Sequence, residues 1–380
     1  MKSVYLDHAA TTALSEAALS AMLPYFREVY GNPSAIHDLG QAAKTAVEKS
    51  RDRIAGAIGA LRSEIVFTSG GTEGDNWVLR GVCRAKRAKG RHIVASAIEH
   101  NAVLRTLADL EGEGFEVTYV APDREGRVAP EALEAAMRPD TILVSVMLAN
   151  NVVGTVLDIP ALAAAARRRR VLFHTDAVQA VGHIPVNVRA LGVDFLTLSA
   201  HKFGGPKGVG AVYCRLPNRL LPMITGGGQE KELRSGTENV PGIVGMAAAL
   251  EEAVGDLDKS QARLSALRDR FIAGALEIPG VRLTGDPVRR LPGFCSFVVG
   301  GIPHSALLVN ELNARGFCVS SGSACSAASR EASHVLLALG WDKAAAVTAL
   351  RVTLGSENTD EDVSRALDAL RSSVAALRQG

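Results

Sequence analysis

Short apolar, β-branched runs alternate with longer stretches of helical character through the first two thirds of the chain. Residues 64–68, 92–96, 116–120, 142–147, 171–175, 194–199 and 209–214 read as strands. Residues 73–89, 101–111 and 161–169, lying between several of them, read as helices. This alternation predicts an α/β fold with a mostly parallel sheet, whose ligands bind beyond the strand ends. After Val240 the texture changes. One long helix-like segment reaches to about Leu276, followed by shorter strands at 294–299 and 349–354 and an amphipathic helix from Glu361. A second, smaller α+β domain is expected to begin near residue 255.

Composition adds limits to this picture. A chain of 380 residues that is 47% apolar can bury a large core and favours two domains. The 42 basic and 40 acidic residues leave a formal charge of +2, so no field for nucleic acid is indicated. Arg167 to Arg170 is the one dense cationic run, and it reads as the solvated end of a helix. The N-terminus lacks the apolar core of a signal peptide, and no apolar stretch is long enough to span a bilayer. Five cysteines (83, 214, 295, 318 and 325), widely spread and without CxxC pairing, argue for a reducing cytoplasm and against a disulfide framework or metal site.

The most chemically suggestive segment is Ser199-Ala200-His201-Lys202, at the end of the run Val193-Asp194-Phe195-Leu196-Thr197-Leu198. A second run, Val171-Leu172-Phe173-His174, gives out at Asp176. Neighbouring strand ends would thus present a lysine and a carboxylate to one small volume. Pyridoxal phosphate (PLP) chemistry needs that pairing: an amine to hold the aldehyde and an acid for the pyridine nitrogen. Ser69-Gly70-Gly71-Thr72-Glu73 follows a strand and opens a helix, where bare N–H groups favour a phosphate, although such a turn is often only a turn. No Lys-Ser/Thr follows its glycines, so it is not a P-loop. Arg234-Ser235-Gly236-Thr237 could add donors to the same anion.

Other segments are weaker alone. His100, just past a strand, could stack on a flat cofactor or shuttle protons. Gln179, Asn150 and Asn151 could hydrogen-bond a ligand, but asparagine at a strand end more commonly builds a turn. Ser320-Ser321-Gly322-Ser323-Ala324-Cys325 is nearly all small residues and reads as a mobile loop with one cysteine. A thiol exposed there could act as a nucleophile, whereas Cys83, Cys214 and Cys295 sit in apolar runs and read as inert core.

Taken together these segments resemble the NifS/IscS-like cysteine desulfurases of the class V aminotransferase family, PLP enzymes of fold-type I. The resemblance covers nearly the whole chain. It starts at Tyr5-Leu6-Asp7-His8-Ala9-Ala10-Thr11-Thr12, includes Tyr30-Gly31-Asn32-Pro33-Ser34 and the motifs above, and closes with Leu350-Arg351-Val352-Thr353-Leu354-Gly355. It implies a large PLP-binding domain over 15–254 with a mostly parallel seven-stranded sheet. It further implies an arm over 1–14 that joins a small domain, 255–380, carrying the catalytic cysteine loop. Lys202 would hold PLP as a Schiff base, Asp176 would pair with the pyridinium nitrogen, His100 would stack on the ring, and Gln179 would bond its phenolic oxygen. The phosphate would sit among Gly71, Thr72, Ser199 and His201, with Thr237 contributed by a partner subunit. Asn32, Asn151 and Arg351 would bind substrate, Asn151 also touching the cofactor. Lys202, Cys325 and His100 would be catalytic, with Cys325 taking sulfur from L-cysteine to leave L-alanine and no metal required.

A cytoplasmic homodimer serving a sulfur-acceptor protein, either an iron–sulfur scaffold or a thiolation protein, is the implied setting, with no membrane or nucleic-acid partner. Val152 stands where many relatives have Glu, Ala200 where Gly is frequent, and Gly71 and Gly74 where Ala and Ser are common. None of these removes a reacting group. A selenocysteine lyase would share nearly all these residues, whereas an aminotransferase would have no need of Cys325. A silent scaffold should have lost Lys202, Asp176 or Cys325, and all three are present.

Overall fold

The computed structural model describes residues 3–216, 220–322 and 332–379; Cys325 lies outside them. Its strands in chain order are β1 (Val4–Tyr5), β2 (Ile65–Thr68), β3 (His92–Ser96), β4 (Glu116–Val120), β5 (Thr141–Ser145), β6 (Leu172–Asp176) and β7 (Phe195–Ser199). They continue with β8 (Gly210–Cys214), β9 (Val281–Leu283), β10 (Phe294–Val299), β11 (Phe317–Cys318) and β12 (Ala349–Thr353). Strands β2 to β8 form one seven-stranded sheet in the order β2-β8-β7-β6-β5-β3-β4. Only β8 runs against its two neighbours, so the other six strands end at the same edge. Every residue of β2, β3, β5, β7 and β8 is buried, which is why they read as mainly apolar runs without alternation. Strand β4 is the open edge and exposes Glu116 and Tyr119.

The helix Gly71–Lys86 packs tightly across this sheet. A Cβ at Gly74 would lie 2.6 Å from Thr197 Cγ2, and Gly70 at its entry has φ +153°, a conformation open to glycine. Arg167 to Arg170 are exposed at the end of the helix Ile159–Arg168, where cations suit the dipole. Cys83, Cys214 and Cys295 are buried, and burial pushes each thiol up to about 12.

The long segment expected from Val240 to Leu276 is two helices, Val240–Gly255 and Leu257–Leu276, broken at Asp256. The first buries Val240, Ile243, Met246 and Leu250 in the core of the large sheet. The second turns Leu264, Leu267 and Phe271 into a separate core around β10 and β12. That second core lies on an antiparallel sheet of order β12-β10-β9, covered by Ser305–Ala314 and Asp360–Gln379. The N-terminal arm links the two cores. Strand β1 pairs in parallel with β11, Leu6 enters the smaller core, and Ala9 enters the larger.

Candidate active site

The strand ends converge on a cavity of ≈ 240 Å³ lined by Lys202, Asp176, His100, Gln179, Asn151 and Arg351, together with Gly71, Thr72, Ser199 and His201. Strand β6 delivers Asp176 and β7 leads through a single 3₁₀ turn, Ala200–Lys202, to the lysine. The Lys202 amine donates to the carbonyls of Ala9 (2.5 Å) and Ala10 (2.9 Å), both on the N-terminal arm. Gln179 Nε2 also donates to the Ala9 carbonyl, at 2.9 Å.

Asp176 is buried and accepts the Val178 N–H at 2.9 Å. Burial raises its pKa, while His100, that N–H and Lys202 act against the rise. Burial lowers the His100 pKa, with Asp176 acting against it, which favours the neutral ring. Its Nδ1 accepts the Ala102 N–H at 3.1 Å, which puts the ring proton on Nε2. Burial also pushes His201 down to about 4, with help from Lys202 and Lys207, and its Nδ1 meets Thr11 Oγ1 at 3.2 Å.

The cavity runs into a second depression bounded by Ser69, Gly70, Gly71, Thr72, Ser199, His201 and Lys207. Here the helix Gly71–Lys86 begins with no side chain capping its first N–H groups. A Cβ at Gly71 would sit 2.6 Å from Val178 Cγ2, so a larger residue here requires that side chain to shift. An uncapped helix start, a buried carboxylate and an inward amine form the donor set that a phosphorylated pyridine aldehyde requires. The residues present therefore fit PLP.

Asn150 and Asn151 separate in role. Asn150 Oδ1 accepts the Val152 and Val153 N–H groups and its Nδ2 donates to Ile98, building the turn. Asn151 lines the cavity. Arg351 is 2% exposed. Its Nη1 donates to the carbonyls of Asn151 (2.8 Å) and Gly322 (3.2 Å), and its Nη2 to Asp7 Oδ1 (2.8 Å).

Two expected site residues lie elsewhere in the chain. Asn32 is exposed on the loop before the helix Asp38–Ala57, its Oδ1 accepting the Ser34 N–H. Thr237 lines a separate depression with Ser69, Gly208 and Arg234, whose guanidinium is held by Glu73. Cys325 falls outside the described residues.

Asp75, Glu99, His334 and Asp7 belong to the site or its wall and were given no role by the sequence. Asp75 lines the cavity; burial and the neighbouring Asp176 charge hold it well above the usual carboxylate range. Its place one turn after Gly71 on the same helix face was the available signal. Glu99 is fully buried, and burial pushes it up to about 8, against the bonds from Ser96 and the Met147 N–H. Its carbonyl meets His334 Nε2, another cavity residue, at 3.1 Å.

Residues 4–366 match the model of the aminotransferase class-V family. The chain belongs to that family. Cysteine desulfurase IscS of Methanosarcina thermophila is 48% identical over 377 residues, covering 99% of this chain and 93% of that protein. The protein of the same name from Dictyoglomus turgidum is also 48% identical, covering 99% and 96%. Among solved structures, a NifS-like protein superposes with a TM-score of 0.93 at 39% identity, covering 99% of this chain and 100% of that one. The structure of SspA in complex with cysteine superposes with a TM-score of 0.82 at 35% identity, covering 92% and 98%. The class V members with this sheet are fold-type I enzymes, and the architecture here agrees with theirs.

Proposed function

We propose that this chain is a PLP-dependent cysteine desulfurase that converts L-cysteine to L-alanine and takes the sulfur onto a protein cysteine. The observation that carries this reading is the convergence of Lys202, Asp176 and Arg351 on one cavity, in a chain 48% identical to proteins named for that activity.

When bound, PLP supplies an aldehyde for an amine and a ring that accepts electrons from the substrate Cα. Lys202 is the amine that would hold it, and once freed is a base for the Cα proton. Asp176 would pair with the ring nitrogen, and Gly71, Thr72, Ser199 and His201 would cradle the phosphate. Arg351 and Asn151 would orient the substrate carboxylate. His100 would take the Cys325 proton at Nδ1, once that atom lets go of the Ala102 N–H it accepts here, while Nε2 keeps its own proton. An unperturbed thiol, with pKa about 8.5, is only a few per cent ionised at pH 7, so this deprotonation decides how much nucleophile is available. The Cys325 thiolate attacks the substrate sulfur, its S–S bond forming as the C–S bond breaks, and the carbon left behind is protonated as alanine departs.

A homodimer is part of the proposal. Leu23, Phe26, Tyr30 and Ile36 are exposed in the segment around Asn32, Ile36 to 95%, and such apolar exposure marks an interface. Neither Asn32 nor Thr237 lines the Lys202 cavity of its own chain, consistent with service to a partner's site. The acceptor would be an iron–sulfur scaffold or a thiolation protein in the cytoplasm; among the described residues no helix is long and apolar enough to cross a membrane.

The direct test is turnover of L-cysteine with analysis for alanine and sulfide. With a thiol reductant present to release the persulfide sulfur, equimolar alanine and sulfide are expected, and a yellow enzyme that forms neither would overturn the assignment. Light scattering should give twice the chain mass of 39.9 kDa.

A further inference from the structure

A guanidinium has five N–H donors, and at Arg351 their partners can be counted. The two on Nη1 go to the Asn151 and Gly322 carbonyls, and one on Nη2 goes to Asp7. Nε is buried and meets no acceptor. The donors left over are the Nε–H and one Nη2–H, enough for a single carboxylate. Asp7 is also firmly placed. Strand β1 pairs with β11, Asp7 bridges to Thr353 beside Arg351, and its carbonyl accepts the Tyr5 hydroxyl at 3.0 Å. The Asp7 carboxylate therefore sits on the same buried cation that an incoming carboxylate must use.

We propose that Asp7 sets the specificity of the carboxylate subsite: it offsets part of the Arg351 charge, so that one carboxylate binds, and binds loosely. Two anions sharing a cation that is 2% exposed repel each other through a medium less screening than water. Such restraint has a use in this reaction. L-Cysteine and L-alanine carry the same carboxylate, so a fully charged Arg351 would hold product as firmly as substrate and add nothing to the chemical step. The inference rests on the reading that Arg351 receives the substrate carboxylate, and the test separates the two.

Propionate, a carboxylate with no amine, is titrated into the holoenzyme by calorimetry and used as a competitor of L-cysteine turnover. Asp7→Asn should tighten propionate by about tenfold, the scale expected for relief of one nearby charge, while Asp7→Glu restores the wild-type value. KM for L-cysteine should fall in Asp7→Asn without a rise in kcat. Should Asp7→Asn fail to fold, Asp7→Ser carries the same expectation. Unchanged or weaker propionate binding in the Asp7 variants, with binding lost in Arg351→Gln, overturns the role of Asp7 alone. Propionate binding that survives intact in Arg351→Gln removes the subsite itself, and the role of Asp7 with it.

Discussion

The best-defined buried ion pair outside the cavity joins Arg51 to Glu230, and its removal is the most calculable perturbation in the molecule. Arg51 Nη1 and Nη2 meet Glu230 Oε2 and Oε1 at 2.7 and 2.6 Å, with side-chain exposures of 5% and 3%. Glu230 Oε2 also accepts the Phe67 N–H at 2.8 Å, and Arg51 lies over the Phe67 ring, 4.6 Å from its centre. Burial alone would lower the Arg51 pKa, but Glu230 and Glu48 together more than offset it and leave the value raised. Glu230→Gln would leave a buried cation whose remaining partners are the half-buried Glu48 and the Ile65 carbonyl, at a cost of about 3 kcal/mol, the low end for breaking such a pair. Arg51→Met should cost a similar amount by stranding the carboxylate. The double variant Arg51→Met/Glu230→Leu should recover most of either loss, less about 1–2 kcal/mol for the orphaned Phe67 N–H. Urea denaturation followed by circular dichroism measures all four proteins. Single-variant losses below about 1 kcal/mol would mean the pair is solvated like a surface bridge, and the reasoning fails.

Three further outcomes are expected. The folded protein keeps the Glu99 proton up to about pH 8, whereas the unfolded chain releases it near 4.5; the folded state binds more protons in that window, so stability falls as pH rises through it. Glu99→Gln should flatten that fall, visible as a denaturation midpoint that exceeds wild type at pH 8 and matches it at pH 4.5; parallel slopes would refute this. Glu230, Lys231 and Glu232 occupy the left-handed region consecutively, with φ of 50, 60 and 68°. Glu232→Gly should relieve about 1 kcal/mol of strain, less part of that in chain entropy, and raise the melting temperature by about 1 °C; a fall would show the residue is not strained. Cys325→Ala should abolish persulfide formation and keep the yellow cofactor band, whereas Lys202→Ala should lose that band; normal desulfuration by the first, or an unchanged band in the second, contradicts the proposed roles.

The sheet was legible because its strands are buried on both faces, so that Ile65-Val66-Phe67 and Phe195-Leu196 appear as plain apolar runs. The helix Asp38–Ala57 escaped notice because its inward stripe includes Ser50 and Arg51 as well as Ala43, Val47 and Ile54. Polar residues that find partners inside look, in sequence, like the solvent face. The break at Asp256 was hidden for a related reason: Val240–Gly255 and Leu257–Leu276 have similar texture but bury against different cores. Lys202 and Asp176 could be paired from neighbouring strand ends alone. The Asp7–Arg351 contact could not, since it joins positions 344 apart and depends on the arm crossing from one core to the other.

These distances expose an asymmetry in how the molecule handles charge. Away from the cofactor cavity, buried carboxylates have guanidinium partners: Glu230 has Arg51, and Asp286 has Arg127. Around the cavity, Asp75, Glu99 and Asp176 are buried together, and none forms an arginine pair among the described residues. Grouping three carboxyls beside one lysine, whose charge reaches Asp176 but leaves its pKa raised, costs stability. Such a grouping is tolerable where a cation is to be supplied by what binds. A protonated pyridine ring at Asp176 would be that cation, which is why the site can be both a weak point of the empty fold and a strong point of the loaded one.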